Sequence, residues 1–166
     1  MLHEAGHFIA AFIIRAKIIN LRIGLFGINM QINTNDLSLN KKLALFFAGP
    51  LVNLLITVYL YRVYYDIAYI NFFLCLINLL PIVPLDGGNV LKSVLDNYVK
   101  RKYVYIIILI LNIIFLIVVA YYFYLSFNII YIAISTMALK GIFQEKNLIL
   151  EEKLKNTYRK YLIGKK

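Results

Sequence analysis

Met1-Leu2-His3-Glu4-Ala5-Gly6-His7 opens the sequence, and much further on stands Asn78-Leu79-Leu80-Pro81-Ile82-Val83-Pro84-Leu85-Asp86-Gly87-Gly88. On a helix, residues four apart share a face, so His3 and His7 can bring both imidazoles to one metal ion. They are the only two histidines in the chain. Neutral imidazole suits Zn²⁺, and a catalytic zinc takes three protein ligands with a fourth position left for water. Glu4 lies beside the pair, where a carboxylate can take a proton from that water as it attacks a carbonyl.

The second stretch supplies the third ligand. Two prolines and two glycines among apolar residues break a helix near Pro81, because proline lacks the N–H and clashes with the preceding turn. Irregular backbone at membrane depth survives only under protein or beside a water-filled cavity. A cation would offset the cost of an ionised Asp86 there, so Asp86 is the natural oxygen partner of two imidazole nitrogens. The competing reading makes Asp86 an interfacial cap for the segment from Gly88 to Leu95. Asn78 either donates a hydrogen bond to a ligand or staples the broken helix.

Composition places these motifs in a bilayer. Of 166 residues, 62% are hydrophobic and 16% charged, which marks an integral membrane protein rather than a soluble domain. Apolar segments are expected at about 2–14 (partial), 43–65, 67–88 (broken), 103–125 and 127–143, forming a membrane-embedded domain over 1–143. Residues 144–166 turn basic and amphipathic, a cytosolic tail suited to anionic lipid. The formal charge of +10 could suggest nucleic acid. Yet of 18 cations, only Arg62 lies in a connection of the other parity if each segment crosses. That bias puts the basic loops and the C-terminus in the cytoplasm and excludes a nucleic-acid partner.

Between the first two segments the period changes. Ile28, Met30 and Ile32 alternate with Asn29, Gln31 and Asn33, which predicts a short membrane-associated β-strand region at about 21–33. It is either a structural cover over the site or an edge that holds an extended peptide. The run Ala48-Gly49-Pro50-Leu51-Val52-Asn53 reads as a packing site for the metal helix, with Asn53 bonding across helices rather than touching substrate. Cys75, the only cysteine, reads as a small core residue.

His3 to His7, Gly49-Pro50-x-x-Asn53 and Asn78 to Gly88 together resemble the site-2 protease family of intramembrane zinc metalloproteases. Within it, the chain is similar to the stage IV sporulation protein FB group. The resemblance implies an all-α polytopic core in which His3, His7 and Asp86 ligate one Zn²⁺ per chain and Glu4 activates water. It also implies supporting roles for Asn78, Gly49, Pro50, Asn53, Pro81, Pro84 and Gly87. Relative to the family, the first membrane helix and the outer half of the helix carrying His3 are missing. The tail ends where sporulation members continue into a regulatory CBS domain. The implied activity is cleavage of a membrane-associated protein, such as a sporulation sigma-factor precursor, near the cytoplasmic face of a bacterial cytoplasmic or forespore membrane. Implied partners are that substrate, the lipid bilayer and a membrane regulator protein. The alternatives are a catalytically inactive zinc-binding scaffold or regulator, and a transporter with Asp86 in an ion site.

Overall fold

The structure, a computed structural model, describes residues 2–24, 27–34 and 36–163. Its elements in order are α1 (Leu2–Ile13), β1 (Lys17–Gly24), β2 (Gly27–Asn33), α2 (Leu39–Leu60), α3 (Tyr65–Asn78), α4 (Asp86–Tyr98), α5 (Arg101–Ser126) and α6 (Ile129–Ile163). They fall into two compact units, Met1–Val104 and Tyr105–Lys166. The mainly helical architecture with a short strand region is the one expected.

In the first unit α2 is the hub, with α1, α3 and α4 each packed against it. Helix α1 ends where Arg15 takes a left-handed conformation, φ 54°. There the Ala16 N–H donates to the Ala11 carbonyl at 2.8 Å and the Arg15 N–H to the Phe12 carbonyl at 3.1 Å. This pair of bonds satisfies carbonyls that the last turn would otherwise leave open. The chain then forms an antiparallel hairpin, with Lys17 opposite Asn33 and Ile23 opposite Ile28. A register shift between Ile18 and Asn20 marks a bulge. The sheet begins at Lys17, a few residues earlier than alternation alone suggests, and β2 packs beside α1.

Contacts fix the direction of α1 against α2. His3 meets Asn53, whereas His7 meets Leu45, so the two helices run antiparallel. They also approach closely, because a Cβ on Gly6 would stand 2.7 Å from both the Ala48 carbonyl oxygen and Val52 Cγ2. Helix α3 is tied to α2 by Thr57, whose hydroxyl donates to the Asn53 carbonyl (2.8 Å) and the Ala68 carbonyl (3.2 Å).

The expected break is present. Helix α3 stops at Asn78, and α4 starts at Asp86. Proline disfavours a helical conformation for the residue before it, so α3 ends ahead of Pro81. The connection folds on itself, with Ile82 N–H bonded to the Leu80 carbonyl and Leu85 N–H to the Ile82 carbonyl, both at 2.8 Å. Ile82, Val83 and Leu85 are buried, so this irregular backbone is covered by protein.

In the second unit, the Tyr122 and Tyr131 rings stack with centroids 6.3 Å apart. Helix α6 runs for 35 residues without interruption, passing straight through positions 143 and 144. Among the described residues, α2 and α5 are long and apolar enough to cross a membrane, and α3 is a shorter apolar helix. Helix α1 has 12 residues, about 18 Å at 1.5 Å per residue.

Candidate metal centre

The face of α1 that meets α2 carries His3 and His7, with ring centroids 4.8 Å apart and rings nearly perpendicular. Their Nε2 atoms stand 3.2 Å from each other. The first residue of α4 brings Asp86 to the same point, where its Oδ2 lies 3.1 Å from His3 Nε2 and 3.3 Å from His7 Nε2. Two nitrogens from one helix and an oxygen remote from them in sequence thus form a nearly equilateral triangle, and among the described residues these three side chains could hold a metal ion.

Two observations test the fit. Asp86 Oδ2 is fully buried and accepts no hydrogen bond of good geometry, although two imidazole nitrogens face it. Burying a carboxylate oxygen in that way is costly unless a cation completes the group. The spacing also suits zinc. At Zn–N and Zn–O lengths of about 2.0–2.2 Å, tetrahedral donors stand about 3.3–3.6 Å apart. The observed separations of 3.1 to 3.3 Å reach only the lower limit of that range, the two shorter ones falling just below it.

Helix α2 orients both imidazoles from behind. His7 Nδ1–H donates to the Leu45 carbonyl at 2.9 Å, which leaves the Nε2 lone pair free for a metal. The Asn53 amide lies 3.2 Å from His3 Nδ1, and its side chain is buried. Between them on α2 is Gly49, where a Cβ would press on the Nε2 atoms of both histidines, 2.7 Å from that of His3. Leu45, Gly49 and Asn53 recur every four residues and so share one face of the helix. Pro50 is buried in the same helix and lacks an N–H, so it offers no donor to the Phe46 carbonyl four residues earlier.

Helix α4 reaches the site because glycine lies where it crosses the connection. A Cβ on Gly87 would overlap the Leu79 and Leu80 carbonyls, and one on Gly88 the backbone at Ile82 and Val83. Asp86 makes no capping bond of its own. The residue at the cap position is Leu85, and the carboxylate turns to the histidines instead.

Other expected residues sit elsewhere. Glu4 is half-buried in the first turn of α1, beside His3, and is not one of the three converging donors. The Asn78 amide donates to the Leu74 carbonyl at 3.0 Å, so it staples the end of α3. Pro81 is exposed and Pro84 half-buried in the connection that delivers Asp86. Sequence reasoning missed Leu45 and Gly6. The first acts through its main-chain carbonyl, which no side chain advertises. The second is legible only as a small residue inside the histidine motif.

Comparison with known proteins bears on the fold and the class of enzyme. The family model described as Peptidase family M50 matches residues 62–121, a span that includes Asn78 to Gly88. No curated protein matches the chain. Among solved structures, the Site-2 Protease from Methanocaldococcus jannaschii is similar with a TM-score of 0.70 and 27% identity, covering 87% of this chain and 72% of that one. Taken with the apolar helices, these similarities make the chain a membrane metalloendopeptidase with the site-2 protease fold.

Proposed function

We propose that His3, His7 and Asp86 hold a single Zn²⁺ and that the protein cleaves a peptide bond in a membrane-associated protein. The observation that carries this reading is the convergence of the three donors on one point, with Asp86 Oδ2 buried and otherwise unbonded. Bound zinc supplies a Lewis acid that polarises the scissile carbonyl and makes water nucleophilic near neutral pH. Glu4, one residue from His3, takes the proton from the attacking water and delivers it to the leaving amine. Leu45 and Asn53 hold the imidazoles in place, and Gly49 leaves them room.

Depth follows from helix geometry. From Arg15 back to His7, and from Lys42 forward to Gly49, the distance along each helix is about 10–12 Å. Both basic ends lie on the same side as the hairpin, which the positive-inside bias makes cytoplasmic. A helical substrate must unwind to expose its amides, and among the described residues each strand of the two-stranded sheet pairs with another strand on one side only, an arrangement suited to adding an extended segment. The resemblance of the Asn78–Gly88 run to the stage IV sporulation protein FB group implies a sporulation sigma-factor precursor as substrate, with a membrane regulator protein gating access.

Glu4→Gln tests the chemistry without removing a metal ligand. Incubated in detergent with a membrane-embedded peptide that the wild type cleaves, this variant should retain zinc and lose at least about 10²-fold in rate. Cleavage at the wild-type rate would show that Glu4 is not the base.

A further inference from the structure

The two histidines are oriented by different kinds of group. His7 Nδ1 is held by a main-chain carbonyl, that of Leu45, which every residue type would supply. His3 Nδ1 is held by a side chain, Asn53, only 2% exposed and 3.2 Å away. Asn53 is itself well fixed. Its main-chain carbonyl accepts the Thr57 hydroxyl, and that hydroxyl also bonds the Ala68 carbonyl on α3.

The chemistry of an amide gives this contact a consequence for the metal. In the structure the amide nitrogen faces His3 Nδ1, and an amide nitrogen can only donate. Nδ1 is then the acceptor, and in the neutral ring the proton sits on Nε2, the atom that faces Asp86 Oδ2 at 3.1 Å. A half-turn of the amide brings Oδ1 to the same place, where it accepts Nδ1–H and frees the Nε2 lone pair. The two ends of the amide are nearly equal in shape, so the turn leaves the surrounding packing unchanged.

We infer that Asn53 is the positioning residue of His3: its amide presents Oδ1 to His3 Nδ1–H when metal is bound, directing the Nε2 lone pair into the site. This rests on the zinc reading above and adds to it a group outside the ligand set. Partners of this kind typically change metal affinity by about 10–100-fold.

The experiment measures zinc affinity by chelator competition for wild type, Asn53→Leu and Asn53→Asp. Leucine keeps the volume and removes the acceptor, and should raise the dissociation constant about 10–100-fold. Aspartate restores an oxygen at the same position and should recover most of that loss, which a purely space-filling role would not produce. The absorption of the Co²⁺-substituted protein should shift in the leucine variant and return in the aspartate variant. Because the chain has only two histidines, ¹⁵N-histidine NMR of the zinc-loaded wild type gives a second test that needs no variant to fold. It should show a proton on His3 Nδ1. Unchanged affinity in Asn53→Leu, an aspartate variant no better than leucine, or an unprotonated His3 Nδ1 would each overturn the inference and leave the zinc reading standing. A wild type that binds no zinc would overturn both.

Discussion

Gly49 shows most plainly how tightly the candidate site is built. Its missing side chain is the space that the two imidazole edges occupy, so even a methyl group must push one of them away. Gly49→Ala should therefore fold but retain little zinc, as elemental analysis of the purified protein would show. Full zinc occupancy would mean that the helices separate more easily than their close approach implies. Asn78 makes the opposite case. Its amide is spent on the Leu74 carbonyl, so Asn78→Ala should lower stability by about 0.5–1.5 kcal/mol in a thermal melt and leave zinc content unchanged. Loss of zinc would place Asn78 at the site after all. Motif position alone ranked Asn53 and Asn78 alike as supporting residues. Only the structure separates the one that touches a histidine from the one that ties off a helix.

At the level of elements, the site is a crossing of α1 and the start of α4 on one face of α2. Much of this was legible. The spacing of His3 and His7 reads directly as one helical face, because the helical period leaves little choice. Pro81 announced the break, and the cost of an isolated carboxylate in apolar surroundings pointed Asp86 at a cation. The alternation from Ile28 to Ile32 revealed a strand, although its partner starts earlier, at Lys17, than the pattern suggested. What stayed hidden was main-chain chemistry, such as the Leu45 carbonyl behind His7. Near 144 the residues change from apolar to charged, and with no proline to stop it the helix continues through. Gly87 also works at this scale, since it lets α4 cross the Leu79–Leu80 backbone. Gly87→Ala should displace the start of α4, costing about 1–3 kcal/mol, and should weaken metal binding although residue 87 is no ligand. Wild-type zinc affinity in that variant would show that Asp86 reaches the histidines without this crossing.

For the whole molecule, the exposed surface is as informative as the buried one. Phe12 and Ile13 on α1, Val58 and Tyr59 on α2, and Ile117 and Tyr124 on α5 are all more than 60% exposed, an apolar covering that a bilayer would satisfy. Against that background the cluster of two histidines and an aspartate is conspicuous, because ionisable groups within apolar helices are costly and mark function. On the proposed reading, α1 and α4 together build one zinc site. Zinc content of the purified protein, wild type beside His7→Ala and Asp86→Ala, tests it most directly. One zinc per wild-type chain, lost in both variants, is the predicted result. Zinc retained in full by Asp86→Ala, or a wild type purified with zinc present that holds none, would contradict it.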